Sequence, residues 1–178
     1  MRQIAILFEF DAAWMGGVYY FRNLISAMKL LPKADQPFIL LISERSESVD
    51  VILETGYPHI GWLKQAEFEA VVKEGLVDVV FPHPFLGEEA RTVSWIPDFQ
   101  ELHLGYFFSD QEVAARRDHH RRRFATAGLI VSSEDVRKDV DTYYPGECKN
   151  VAVVRFASFD KPDGGNVDLV RQKYDLPE

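Results

Sequence analysis

The sequence predicts an α/β fold: a Rossmann-like, doubly wound and mostly parallel sheet. Three observations carry that expectation. Short apolar runs of strand length recur along the chain. Most are separated by segments with helical periodicity or a recognisable cap. The alternation is that of βαβ units, whose right-handed crossovers place helices on both faces of a sheet.

The elements follow in order. Ile4 to Phe8 is a continuous apolar run, the pattern of a strand buried on both faces. DAAWMGG reads as a loop. From Val18 to Leu31, Tyr20, Phe21, Leu24, Ile25, Met28 and Leu31 recur at helical spacing, and Pro32 ends the run. Phe38 to Ile42 is a second strand. Val49 to Glu54 fits a short helix and His59 to Leu63 a short strand. Phe68 to Glu74 reads as a helix closed by Gly75. Val77 to Phe81 is a strand stopped by Pro82 to Pro84, and Thr92 to Ile96 a strand stopped by Pro97. Ser109 caps a charged helix reaching about Thr126. Leu129 to Val131 is a strand, and Ser133 caps a helix from Glu134 to Tyr143. Val151 to Phe156 is a last strand. DKPDGG, Asp160 to Gly165, reads as a linker before a helix starting at Val167. The expected division is a lobe over residues 1–160, then linker and helix over 161–178.

Size and composition agree with one such unit. The chain has 178 residues, is 47% hydrophobic and 13% aromatic, and carries a formal charge of -8. An acidic chain argues against a bulk nucleic-acid binder. Cys148 is the only cysteine, which excludes an intrachain disulfide and a thiolate metal cluster. The opening MRQIAILFEF is too short in apolar length for a signal peptide, and no apolar run reaches a membrane span. The expectation is a cytoplasmic protein, with contact at the inner membrane face left open.

In such sheets ligands bind outside the carboxyl ends of the strands. That rule gathers Asp11 to Gly17, Pro82 to Gly87, Pro97 to Phe107, Ser132 to Asp135 and Phe156 to Gly165 onto one surface. Gly16 and Gly17 stand between the first strand and the first helix. Backbone amides and the positive helix end face that loop, and glycine lets an anion approach them. The pair fits neither GxGxxG nor GxxxxGK[ST], so the dipeptide alone favours a tight turn without a ligand. Trp14, in the same loop, is a candidate for stacking on a sugar or base. SWIPDFQELHLGYFF places Asp98, Gln100, Glu101 and His103 among aromatics, a mixture suited to a small-molecule pocket. Asp98 also fits a turn or cap, and His103 a packed ring. No spacing supports a metal site.

These stretches resemble a known family. MGGVYYFRNLISAM after a strand, WIPDFQELHLGYFFS, the helix ending in AGLIVSSEDVRKDV, and YYPGECKNVAVVRFAS are similar, in that order, to the N-terminal lobe of GT-B-fold, retaining glycosyltransferases of family 4. The resemblance implies two lobes facing across a cleft, with a nucleotide-sugar donor held chiefly by a C-terminal lobe outside this chain. It implies an acceptor, carbohydrate or lipid-linked, on this side. By position, Gly16 and Gly17 match the loop near the donor diphosphate. Asp98 matches the acidic member of a His-Asp pair, whose histidine position is Pro97 here; His103 is the substitute candidate. The resemblance also implies acceptor attack on the leaving-group face, without a protein nucleophile. The fragment alone is then expected to be inactive.

The helix segment ARRDHHRRRF concentrates five arginines and two histidines in an acidic chain. A solvated face paired with Asp110, Glu112 and Asp118 explains it simply. Helical geometry spreads these residues, so only a subset can meet one ligand. That ligand would be a phosphorylated or lipid-linked acceptor, or an anionic membrane surface. The rings of His119 and His120 are expected to diverge. The rival to a transferase lobe is a non-catalytic, ligand-sensing or receiver-like α/β module, for which Glu9 and Asp11 supply acidic residues at the first strand's end.

Overall fold

The computed structural model describes residues 1–82, 91–158 and 167–175. The loop from Pro82 to Gly87, most of the PHP stop and the Asp160–Gly165 linker, with the lobe boundary drawn from it, lie wholly or largely outside the described residues.

Seven strands are present among the described residues: β1 (Gln3–Leu7), β2 (Phe38–Ile42), β3 (Ile60–Leu63), β4 (Val79–Phe81), β5 (Val93–Ile96), β6 (Gly128–Val131) and β7 (Val151–Val153). The helices are α1 (Met15–Met28), α2 (Ser46–Leu53), α3 (Gln65–Lys73), α4 (Gln100–His103), α5 (Asp110–Phe124), α6 (Glu134–Tyr143) and α7 (Val167–Tyr174). A 3-10 turn covers Gly105–Phe107.

Every strand pairing described is parallel. One sheet runs β3-β2-β1-β4 and the other β5-β6-β7. A parallel bridge between Val80 and Thr92 joins them, and Val80 N donates to the Arg91 carbonyl at 3.0 Å. The continuous order is therefore 3-2-1-4-5-6-7, the Rossmann arrangement with one further strand. It is not the 2-1-3-4-5 order of flavodoxin-like receivers, so the receiver-like alternative does not describe this fold.

The period of two along each strand divides the core. Ile6, Phe8, Ile39 and Leu41 pack with Val18, Phe21 and Ile25 of α1 and Val49 and Ile52 of α2. Ala5, Leu40, Ile42 and Val80 pack on the opposite face with Phe68 and Val72 of α3. Ile96, Leu129 and Val131 meet Phe124 of α5 and Val136 and Val140 of α6. The register Val80 to Thr92 places Ile96 on the α3 face, so the sheet is covered on both sides. Burying these side chains supplies about 1.5–3 kcal/mol each, the main stabilising term.

Several boundaries differ from the sequence reading. Helix α1 starts at Met15, three residues early, so Gly16 and Gly17 lie in its first turn and not in a loop. Glycine's poor helix propensity hides that start from sequence inspection. The chain after Met28 is a turn and not helix. Strand β7 ends at Val153. Gln100–His103 is a helical turn where a loop was expected. The caps agree well: Ser109 Oγ accepts from Glu112 N, while Glu112 Oε2 accepts from Ser109 N at 2.8 Å. Ser133 Oγ accepts from Val136 N at 3.2 Å.

Candidate functional site

The strand order reverses between β1 and β4: the chain runs outward through β2 and β3, then returns to start the other half. A crevice opens outside the carboxyl ends at such a point. Here it is a cavity of about 460 Å³. Leu7 to Glu9 and Asp11 come from the end of β1, Pro82 from the end of β4, and Trp95 to Asp98 from the end of β5. Helix α5 closes one side with Arg116, His119, His120 and Arg123. Trp14 forms another wall.

Trp14 is the N-cap of α1, without a side-chain capping bond. Ala13 N donates to Asp11 Oδ1 at 2.8 Å and Trp14 N to the Asp11 carbonyl at 3.0 Å, which turns the chain into the helix. The indole lies back over Gly17. A Cβ at Gly17 would stand 2.4 Å from two of its ring carbons. Gly17 N is itself engaged with the Trp14 carbonyl at 3.1 Å. The expected bare amide at Gly17 is therefore covered. Gly16, by contrast, is exposed and has nothing within 4 Å of its Cβ position. The function of Gly17 visible here is to seat an aromatic ring.

That ring belongs to a stack. Trp14 lies 5.7 Å from Trp95, and Tyr20 stacks on Trp95 at 4.1 Å with planes 10° apart. Trp95 Nε1 donates to Ser132 Oγ at 3.3 Å. The Tyr20 hydroxyl is buried without a partner among the described residues, and burial pushes its pKa up to about 12.

Asp98 reaches the cavity and is exposed; its Oδ2 accepts from Gln100 Nε2 at 3.2 Å. His103 is not at the cavity. Its Nε2 lies 2.8 Å from Asp139 Oδ2 on α6, half exposed. The sequence places His103 five residues from Asp98, but the α4 turn directs it to another surface. Geometry thus brings Asp98 and Trp14 together, keeps Gly17 beneath Trp14, and separates His103.

Two side chains that the sequence reading named without pairing them meet at the cavity wall. Glu101, nearly fully buried, sits 3.1 Å through Oε1 from His120 Nε2. Burial lowers the His120 pKa below 6.5, against the opposing pull of Glu101. The neutral ring with its proton on Nε2 can donate to Glu101, leaving Nδ1 as a bare lone pair, and Nδ1 has no partner among the described residues. Phe99 meets the same ring edge-on at 4.8 Å. His119, exposed, and His120, buried, both border the cavity, with ring centroids 6.4 Å apart and planes 71° apart. The readable signal was the spacing of Arg116, His119, His120 and Arg123, which is one helix face.

Among the described residues, no three His, Cys, Asp or Glu side chains converge on a metal position, and no helix is long and apolar enough to cross a membrane.

No protein-family model and no curated protein sequence matches the chain. A crystal structure of a glycosyltransferase from Rickettsia africae ESF-5 is similar in fold, with a TM-score of 0.53 and 14% identity. The likeness covers 99% of this chain and 50% of that one, so the chain spans half the length of the glycosyltransferase it resembles. The chain thus has a Rossmann-like α/β architecture with a glycosyltransferase-like fold.

Proposed function

We propose that this chain acts as the acceptor-side, N-terminal lobe of a retaining glycosyltransferase of GT-B architecture. A second lobe presents a nucleotide-sugar across the crevice, and the acceptor lies in the cavity beside Asp98. The observation that carries this reading is the cavity at the β1/β4 reversal, with an exposed carboxylate on one side and a cationic helix face on the other. Its volume suits a monosaccharide-sized group.

The chemistry follows from that placement. An acceptor hydroxyl attacks the anomeric carbon as the bond to the diphosphate oxygen breaks. Its proton passes to the departing diphosphate on the same face. Asp98 accepts a hydrogen bond from an acceptor hydroxyl and fixes its orientation. Negative charge grows on the leaving group, and fixed donors stabilise it. The first turn of α1 supplies such a donor at Gly16, whose Cβ position is open, whereas the Gly17 amide is engaged with the Trp14 carbonyl. The Trp14 ring also closes the approach to Gly17. Contact with the inner membrane face belongs to the same proposal if the acceptor is lipid-linked.

The test uses the full-length protein with a panel of nucleotide-sugars, reading donor consumption and the anomeric configuration of the product. Asp98→Asn should lower kcat/KM about tenfold to a hundredfold, the loss of one charge-assisted hydrogen bond. Residues 1–178 alone should turn over near background. A product of inverted configuration, or unchanged transfer by the Asp98 variant, would overturn the assignment.

A further inference from the structure

The basic residues of α5 divide by their position on the helix. Arg121 Nε reaches Glu147 Oε2 at 3.2 Å, and Arg122 reaches Asp118 at 2.9 Å. Both pairs lie at the exposed surface, where such pairs contribute little. Arg116, His119, His120 and Arg123 line the cavity instead. The Arg116 guanidinium stands 4.4 Å over the Phe108 ring, which leaves its hydrogen-bonding edge available.

The carboxylates around the same cavity already accept hydrogen bonds. Glu9 accepts from Ser43 Oγ at 2.9 Å, Glu44 N at 2.8 Å and Ser48 Oγ at 3.3 Å. Asp11 accepts from Ala13 N, and Asp98 from Gln100 Nε2. Glu101 Oε1 is occupied by His120, while its Oε2 is buried without a partner among the described residues. Arg123 offers a donor instead. Its Nε is buried with no hydrogen-bond partner among the described residues. A buried charged donor without an acceptor is costly, and a ligand oxyanion is the group that relieves it. Two guanidinium groups on one helix face, three and four residues either side of a histidine pair, match the several oxygens of a phosphate better than the single charge of a carboxylate.

Resting on the transferase reading above, we propose that the acceptor is a phosphorylated sugar, its phosphate held by Arg123, Arg116 and His119 while Asp98 orients its reacting hydroxyl. The stripe then selects the acceptor by charge, and the neutral parent sugar is a poor substrate.

Calorimetric titration of the full-length protein without donor tests this. The ligands are inorganic phosphate, hexose monophosphates, the parent hexoses and nucleoside diphosphates. Hexose monophosphates should bind at least about tenfold tighter than their parents, as expected for charge-assisted contacts. Arg123→Gln should weaken phosphate binding about tenfold. Arg116→Gln, at an exposed residue, should weaken it severalfold. Arg121→Gln, on the outer face, should leave it unchanged. Equal binding of phosphorylated and neutral sugars overturns the proposal. So does binding that ignores both cavity arginines, or a stripe that takes only nucleoside diphosphates, which would assign it to the donor. Transfer to neutral sugars without phosphate binding removes this inference and leaves the transferase reading standing. Phosphate binding without donor consumption removes the transferase reading instead.

Discussion

Gly17→Ala separates the two functions a glycine can have at a helix start. Alanine favours the helix by up to about 1 kcal/mol. The new Cβ, however, would stand 2.4 Å from Cε3 and Cζ3 of Trp14 and 2.7 Å from Cη2. Carbon atoms settle near 3.5–4.0 Å, so the indole must retreat by roughly 1 Å or swing away. It is 50% exposed and free to do so. Leaving forfeits its contact with Trp95 at 5.7 Å, an aromatic pair worth about 0.5–1.5 kcal/mol. Gain and loss nearly cancel, and the melting temperature should move by no more than about 2–4 °C. Gly16→Ala meets nothing within 4 Å and keeps the helix gain, so it should melt about 2–3 °C higher. The decisive readout is the Trp14–Trp95 environment, followed by near-ultraviolet circular dichroism and tryptophan fluorescence alongside the melts. Gly17→Ala should alter both spectra and Gly16→Ala neither. Identical spectra, with equal gains in melting temperature, would refute the seating of Trp14 on Gly17.

Two further outcomes follow from buried polar groups. Tyr20→Phe keeps the stack on Trp95 and removes a desolvated hydroxyl, so stability should be unchanged or rise by about 1 kcal/mol in a urea titration; a loss above that would reveal a partner for the hydroxyl. His120 has its pKa lowered from 6.5, so in the window below that value the unfolded chain binds more protons than the folded one. Its contribution is complete above about pH 6.5 and is lost as the pH falls toward the folded value. Melts from pH 7.5 to 5.5 should therefore decline less steeply for His120→Gln than for the native chain, and parallel slopes would contradict the burial argument.

Strand positions were legible because apolar runs bounded by proline and polar residues are local signals. Phe38–Ile42 and the helix Glu134–Tyr143 after its Ser133 cap agree with the sequence reading residue for residue. The opening turn of α1 was not legible, since Trp14 supplies no side-chain cap and the glycine pair has poor helix propensity. The one-turn α4 escaped for a similar reason, being too short to show periodicity, and it is what directs His103 toward Asp139 instead of toward Asp98.

By itself the sequence determined the alternation of elements, both serine caps and the parallel doubly wound class, because each depends on residues within a few positions of one another. Only the tertiary structure decided the order 3-2-1-4-5-6-7, the contact of Trp14 with Trp95 and the pairing of Glu101 with His120. Those features join segments far apart in the chain, and their free energy comes from desolvation and packing at one shared crevice. No local window of residues encodes which distant side chain will fill the space beside it.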